Sequence, residues 1–210
     1  MSIVCPTITA TDAKQFKAQV EQISRFASRI HLDITDGFFA PPLLDANQIW
    51  LPEIPVDIHV MYEFPKLVLD RLVKLKPSMI IIHYESDANF NEIADVLKFN
   101  HIKFGIALLQ QTDTEVIKQF KDIVDHVLIF SGNLGYFGGN ADMGLIEKVK
   151  EIKSLNPKIE IGWDGGINLS NAKFLANNSV DVLDVGSYIH KSSDPKQAYI
   201  LLVESLELNK

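Results

Sequence analysis

The chain has 210 residues, of which 47% are hydrophobic and 22% are charged, as is typical of a globular protein. Its formal net charge of -7 disfavours nucleic acids and anionic membranes as partners, because both select clustered lysine and arginine. A single cysteine, Cys5, leaves no partner for an intrachain disulfide. No signal peptide or membrane-spanning segment is recognisable in the sequence, so we expect a cytoplasmic protein.

Strand and helix signals alternate along the chain. Short apolar segments rich in β-branched residues predict strands at residues 2–8, 29–35, 56–61, 79–85, 103–109, 126–131, 159–164 and 180–186. Amphipathic segments with helical spacing lie between or after them, at residues 16–27, 66–75, 92–99, 145–155 and 198–206. Apolar strands that alternate with helices are typical of a parallel sheet covered by helices. We therefore predict one α/β domain over residues 1–210, a closed (β/α)₈ TIM barrel with a parallel eight-stranded sheet.

An open, doubly wound sheet is the alternative architecture. Such sheets usually carry a GxGxxG turn after the first strand. Here Thr9, Ala10 and Thr11 follow that strand instead, which favours the closed barrel. The segment 38–55 contains FFAPPLL and LPEIP and has little helical spacing, so we expect an irregular loop beside the functional face.

Four polar side chains lie near the ends of three predicted strands: His31 and Asp33 in RIHLDITDG, His59 in DIHVM and Asp164 in IGWDGG. Because strand ends of a β/α barrel converge on one face, we expect these side chains to meet. Imidazole and carboxylate ligands suit zinc, iron, manganese or cobalt, so we predict one divalent metal ion. Asp33 and Asp164 also form a candidate pair for proton transfer. A hydrogen-bonded core residue is the alternative for any one of the four.

Glycine-rich turns follow three of the late strands. They contain the pairs Gly138-Gly139, Gly165-Gly166 and Gly186-Ser187. In β/α barrels, the loops after strands seven and eight commonly bind phosphate through backbone N–H groups. We therefore expect these residues to bind the phosphate of a substrate, although glycine pairs also serve simply as turns.

Six segments in chain order resemble those of ribulose-phosphate 3-epimerases: HLDITDGFFAPP, DIHVM, IIIHYES, GYFGGN, IGWDGGI and DVLDVGS. The similarity extends from Ile3 to Pro195. It implies an isomerase of the pentose phosphate pathway that interconverts D-ribulose 5-phosphate and D-xylulose 5-phosphate. It also implies that His31, Asp33, His59 and Asp164 bind the divalent metal and that the two aspartates transfer the protons. Family barrels often associate, so a homo-oligomer is expected.

The pocket departs from the family pattern. Thr35 and Phe130 stand where the family usually has methionine, and Met61 is the pocket methionine that is clearly kept. The loop after strand six, SGNLGYFGGN, is one residue longer than the corresponding loop of the family. Two alternatives therefore stay open: an epimerase for another ketose phosphate, such as D-allulose 6-phosphate, or a non-catalytic phosphosugar-binding homologue. Related barrels that decarboxylate sugar phosphates usually carry a DxKxxD motif on the second strand, in which the lysine supplies a proton. The corresponding residues 33–36 of this chain lack that lysine, which disfavours decarboxylation.

Four further residues have no assigned role from the sequence. His83 and Glu85 share a face of the fourth strand and either orient the site or belong to the core. Asp184 in DVLDVGS faces either the barrel or the helices. His190 follows the last glycine turn, and we expect it at the surface.

Overall fold

In the computed structural model, which describes residues 2–132, 134 and 139–207, parallel strands β1 to β8 pair in sequence order and close into a barrel. This confirms the predicted (β/α)₈ fold class. The strands are β1 Ile3–Ile8, β2 Ile30–Thr35, β3 Val56–Met61, β4 Met79–His83, β5 Lys103–Leu108, β6 His126–Phe130, β7 Glu160–Asp164 and β8 Val182–Val185.

Helices surround the barrel, five of them at the predicted segments, while the two short helices after β7 and β8 were not among the predicted segments. They are α1 Ala13–Ile23, α2 Lys66–Leu75, α3 Phe90–Phe99, α4 Ile146–Leu155, α5 Ala172–Asn177, α6 Ser187–His190 and α7 Pro195–Glu207. After β5 the chain forms a 3₁₀ helix, Thr114–Gln119, and another, Met143–Leu145, precedes α4. Helix α1 begins after Asp12, whose carboxylate accepts hydrogen bonds from two backbone N–H groups of the first turn. In the part of the chain that the structure describes, no helix is long and apolar enough to cross a membrane.

The interior of the barrel has an apolar side and a polar side. Met79, Ile81, Ala107 and Leu128 pack together on the apolar side. The polar side carries ionisable groups from β1, β2, β3, β7 and β8, most of them buried, which the strand register brings into neighbouring rows. Two further buried histidines, His83 and His126, lie on β4 and β6. Asp184 belongs to this side and faces the barrel, where it is 2% exposed. This settles the orientation that the sequence pattern leaves open.

An ion-pair network closes the amino-terminal end of the barrel. Arg29 donates from Nε to Asp57 at 2.6 Å and from its two terminal nitrogens to Glu160 at 3.0 and 2.9 Å. His126 Nδ1 lies 2.9 Å from the same Glu160 carboxylate. These groups lie at the end of the barrel where TIM barrels keep residues for stability rather than chemistry.

Replacing Arg29 with methionine is expected to lower the free energy of unfolding by about 3–5 kcal/mol, because it leaves the buried Asp57 carboxylate without its cation. Urea denaturation followed by circular dichroism measures this change. The matched control is Lys17→Met, which breaks an exposed pair with Glu21 and should change stability by less than about 1 kcal/mol. Equal effects of the two substitutions would contradict a structural role for the network.

Candidate metal centre and active site

The four residues predicted to meet do converge at the carboxyl ends of β2, β3 and β7. His31, Asp33, His59 and Asp164 each offer a ligand atom, and these atoms all lie within 4.8 Å of one another. Asp33 Oδ1 lies 3.2 Å from His31 Nε2 and 3.0 Å from His59 Nδ1. The two histidines are fully buried, whereas both aspartates line the adjoining cavity. The alternation of side chains along β2 places His31 and Asp33 on the same inward face.

The two carboxylates differ in their affinity for a proton. Burial would raise the pKa of Asp33, but contact with the His31 and His59 rings outweighs burial and holds it below its ordinary value. Burial and the negative charge of Asp33 raise the pKa of Asp164 well above its ordinary value. One carboxylate therefore favours the ionised form and the other the protonated form. Such a contrast is characteristic of acid and base partners in active sites.

The groups that contact each histidine indicate which of its ring nitrogens carries the proton. Glu85 Oε2 lies 3.2 Å from His83 Nδ1, so this nitrogen carries the proton and donates it to the carboxylate. His83 Nε2 then accepts a hydrogen bond from His59 Nε2–H at 2.9 Å. The remaining nitrogen of neutral His59, Nδ1, presents a lone pair toward Asp33 Oδ1. Burial lowers the pKa of His59 to about 4, which keeps the ring neutral near pH 7.

This arrangement fits a bound cation. Two acceptors only 3.0 Å apart, His59 Nδ1 and Asp33 Oδ1, repel each other unless a proton or a cation lies between them. Ligands about 2.0–2.2 Å from a shared ion lie within roughly 4.4 Å of one another, close to the spacing of the four donors. Two imidazoles and two carboxylates also match the donor preference of first-row divalent metals. The residues present can therefore hold the predicted metal ion.

A further shell of contacts supports the His59 side of the centre. Glu85 Oε1 accepts hydrogen bonds from the Leu109 backbone N–H at 3.1 Å and from the Thr112 hydroxyl. The rings of Phe39 and Phe130 lie 4.9 and 5.6 Å from the His83 ring, centroid to centroid. His83 and Glu85 were expected either to orient the site or to belong to the core. The structure favours an orienting role, because His83 contacts His59 directly.

A cavity of about 280 Å³ opens beside the centre. Among the predicted binding residues, it is lined by Met61, Gly165, Gly166, Gly186 and Ser187, together with Asp33 and Asp164. Gly139 lines a neighbouring open pocket that shares Gly166 and Ser187. Gly138 lies outside the described residues.

The turn after β7 requires glycine for reasons of backbone packing. Gly165 and Gly166 have φ angles of +111° and +72°. A Cβ atom on Gly165 would lie 2.3 Å from the backbone nitrogen of Gly132, and one on Gly166 would lie 2.1 Å from that of Ala141. The β7 turn is therefore pressed against the loop after β6, and its backbone is exposed to the cavity without intervening side chains.

Sequence reasoning missed several residues around the cavity. Thr9 Oγ1 donates to Asp33 Oδ2 at 3.1 Å. Its position directly after β1, two residues beyond Thr7, could have identified Thr9 as a residue that faces the site. His190 was expected at the surface, but it is partly buried, lines the cavity and donates from Nε2 to the Thr7 carbonyl at 2.7 Å. Lys191 also lines the cavity. The last two lie in α6 or directly after it, where strand periodicity carries no information.

Thr35 ties down the irregular loop that separates β2 from β3. Its hydroxyl donates to the Pro41 carbonyl at 3.0 Å and accepts from the Leu43 backbone N–H at 2.9 Å. Ala40, Pro41 and Leu43 line the cavity, so the predicted position of the 38–55 loop beside the site is confirmed. A side chain without a hydroxyl at position 35 could not make either bond.

We expect Thr35→Val to lower the free energy of unfolding by about 1–3 kcal/mol, because it removes both part-buried hydrogen bonds that the buried Thr35 hydroxyl makes to the loop backbone. Thr35→Ser keeps the hydroxyl and is the control, with a smaller expected loss. Chemical denaturation of the two variants side by side measures the difference. A serine variant no more stable than the valine variant would show that these hydrogen bonds contribute nothing.

Solved structures share the fold at low sequence identity. The 3-keto-L-gulonate-6-phosphate decarboxylase from Vibrio cholerae superposes with a TM-score of 0.75 at 10% identity, covering 98% of this chain and 97% of that chain. The 3-hexulose-6-phosphate synthase from Salmonella typhimurium superposes with a TM-score of 0.74 at 12% identity, covering 99% of this chain and 100% of that one. At these identities the likeness establishes the barrel fold alone.

Sequence relatives are closer. The ribulose-phosphate 3-epimerase of Helicobacter pylori is 34% identical over 205 residues, which cover 93% of this chain and 94% of that protein. The enzyme of the same name from Bacillus subtilis is 26% identical over 206 residues, with 93% and 95% covered. The model of the Ribulose-phosphate 3 epimerase family matches residues 3–190. The chain therefore belongs to the ribulose-phosphate 3-epimerase family and is an isomerase.

Proposed function

We propose that this protein is a metal-dependent epimerase that inverts C3 of D-ribulose 5-phosphate to give D-xylulose 5-phosphate. The observation that carries the proposal is the placement of Asp33 and Asp164 on one cavity, beside a cluster of two histidines. Inversion next to a ketone requires that a proton leave one face of the carbon and that a proton arrive at the other. Two separate carboxylates on one cavity are suited to these two steps.

The opposite proton affinities of the two carboxylates support alternating roles. Asp33, held ionised by its histidine neighbours, is suited to accept the C3 proton. Asp164, whose pKa is raised by burial, is suited to deliver a proton to the opposite face. In the reverse reaction the roles exchange. Thr9 donates to Asp33 Oδ2 and orients that carboxylate relative to the cavity.

His31, Asp33, His59 and Asp164 would hold a divalent metal ion, with zinc, iron, manganese and cobalt all matching the donors. When bound, such an ion supplies positive charge for the oxygens of the enediolate that forms when C3 loses its proton. The His59–His83–Glu85 chain and Asp33 keep the ligand atoms ordered around this position.

The remaining cavity walls suit a phosphorylated sugar. The turns that contain Gly165, Gly166, Gly186 and Ser187 present backbone to one side of the cavity, and Lys191 adds a cation there. We assign phosphate binding to this side, together with Gly138 and Gly139 from the sequence pattern. Met61 and Phe130 add apolar side chains to the cavity lining, and the Phe130 ring packs near the His59 and His83 rings. Apolar side chains of this kind exclude water from the reacting carbon.

The experiment that tests the function incubates metal-loaded protein with D-ribulose 5-phosphate in D₂O and follows the sugar by NMR. We expect deuterium to enter at C3 while D-xylulose 5-phosphate accumulates. D-allulose 6-phosphate is the matched second substrate, since Thr35 and Phe130 alter the pocket. Faster turnover of the hexulose phosphate would reassign the substrate. Binding without exchange of either sugar would contradict catalysis and favour a phosphosugar-binding protein.

A further inference from the structure

Asp184 is a buried carboxyl group that the proposed reaction does not use. It lies on β8, faces the barrel interior and is 2% exposed. Within the described residues, neither of its carboxylate oxygens has a well-formed hydrogen bond. A buried carboxylate without a partner is expensive, so its presence in the interior requires an explanation.

Within the part of the chain that the structure describes, one basic side chain lies within salt-bridge distance of Asp184. Oδ1 lies 3.3 Å from His31 Nδ1. Cys5 on β1 is its register neighbour, and the thiol is a weak donor only. Asp57 and Asp164 are further carboxyl groups close enough for the charge of Asp184 to influence them, and neither is a basic partner. Among the described residues, the His31 ring is therefore the basic group within salt-bridge distance of the carboxylate.

The two nitrogens of His31 point to different carboxylates. Nε2 lies 3.2 Å from Asp33 Oδ1 on the side of the metal cluster, and Nδ1 lies 3.3 Å from Asp184 Oδ1 on the other side. The second separation is within hydrogen-bonding reach, although the two groups are not aligned for a hydrogen bond in this structure. With the proton on Nδ1, the lone pair on Nε2 faces the centre. The opposite tautomer would place an N–H where a ligand is needed.

We propose that Asp184 is a positioning residue for the metal centre, which accepts a hydrogen bond from His31 Nδ1–H and so presents His31 Nε2 as a ligand. The inference rests on the metal site of the proposed function and deepens it. Carboxylate partners of this kind orient a ligating imidazole and raise its basicity. His59 has a different partner, the ring of His83, so the two histidines are not equivalent ligands.

The proposal predicts opposite effects on two properties of the protein. A carboxylate kept for metal binding strengthens the loaded centre but burdens the metal-free fold, because an aligned partner is lacking there. A carboxylate kept for folding would instead stabilise the metal-free protein. Removing the charge of Asp184 therefore separates the two roles.

The test uses metal-free protein titrated with Zn²⁺ in competition with a chelating indicator, for the wild type, Asp184→Asn and Asp184→Val. We expect a Kd for Zn²⁺ about 10–100-fold higher in both variants, with unfolding midpoints of the metal-free proteins equal to or above the wild type. The two replacements differ in shape and polarity, so one remains informative if the other fails to fold. Co²⁺ absorption spectra, altered in the variants, provide a second readout of ligand geometry.

The control is Asp57→Asn, which changes another buried aspartate of the same barrel. Asp57 pairs with Arg29 instead of His31, so this variant should lose stability and keep the wild-type Kd for Zn²⁺. An unchanged Kd in both Asp184 variants would overturn the inference while leaving the proposed function intact. Wild-type protein that binds no Zn²⁺, Co²⁺, Mn²⁺ or Fe²⁺ would instead contradict the proposed metal centre itself.

Discussion

Asp33→Asn and Asp164→Asn are each expected to lower kcat for epimerisation by about 10²–10⁴-fold, the usual contribution of a positioned acid or base. Asparagine keeps an oxygen that can ligate a metal but cannot take up the C3 proton. Both side chains lie on the cavity, so the loss should appear in kcat more than in KM. A coupled assay for D-xylulose 5-phosphate measures the rates, with metal content determined for each variant.

Isotope exchange separates the two carboxylates. If each serves one face of the sugar, a variant that retains one base should still exchange the C3 proton of one epimer with D₂O without inverting the carbon. The two variants should then exchange opposite epimers, one D-ribulose 5-phosphate and the other D-xylulose 5-phosphate. Asp122→Asn, at an exposed position, is the control and should keep the wild-type rate. Wild-type inversion by either active-site variant would contradict the two-carboxylate mechanism.

Removing the metal is expected to lower kcat by on the order of 10³-fold, since charge stabilisation of this kind is worth several kcal/mol. The protein is dialysed against a chelator and assayed before and after addition of Zn²⁺, Mn²⁺, Co²⁺ or Fe²⁺. Activity should return with at least one of these ions, and the ranking identifies the metals that the four donors accept.

Circular dichroism of the metal-free protein distinguishes lost chemistry from lost structure. The barrel core is built from apolar side chains between strands and helices, and the four ligands occupy only the carboxyl end, so the fold should persist without the ion. The variant His59→Gln tests the same dependence without a chelator, because it removes one metal ligand and should weaken metal retention. Full activity in protein shown to lack metal would contradict metal dependence.

Local patterns were sufficient for the barrel and for the four-residue cluster. Alternation along a strand places His31 and Asp33 on one face, and parallel strands deliver their carboxyl ends to one edge. These two rules require no knowledge of long-range packing. The four side chains do meet, within 4.8 Å, while their roles in binding and proton transfer stay predictions.

Other features depended on contacts between distant segments. Barrel closure pairs β1 with β8, and this places Asp184 beside Cys5 and within 3.3 Å of His31. The Asp-Val-Leu-Asp-Val sequence at β8 is compatible with either orientation of the Asp184 side chain. A strand that is buried on both faces lacks the alternation of apolar and polar residues that would indicate the direction. His190 likewise reaches the Thr7 carbonyl only because the ends of the chain are brought together.

The amino-acid pattern therefore specifies which side chains share a strand face, since that depends on covalent neighbours and a period of two. It does not specify which nitrogen of His31 or His59 faces which partner. That choice follows from the register between strands and from the Glu85 and Asp184 carboxylates that approach the rings from other elements. Electrostatic partners across a closed barrel are set by packing in three dimensions, because interactions of buried charges are strong over short distances and independent of sequence separation.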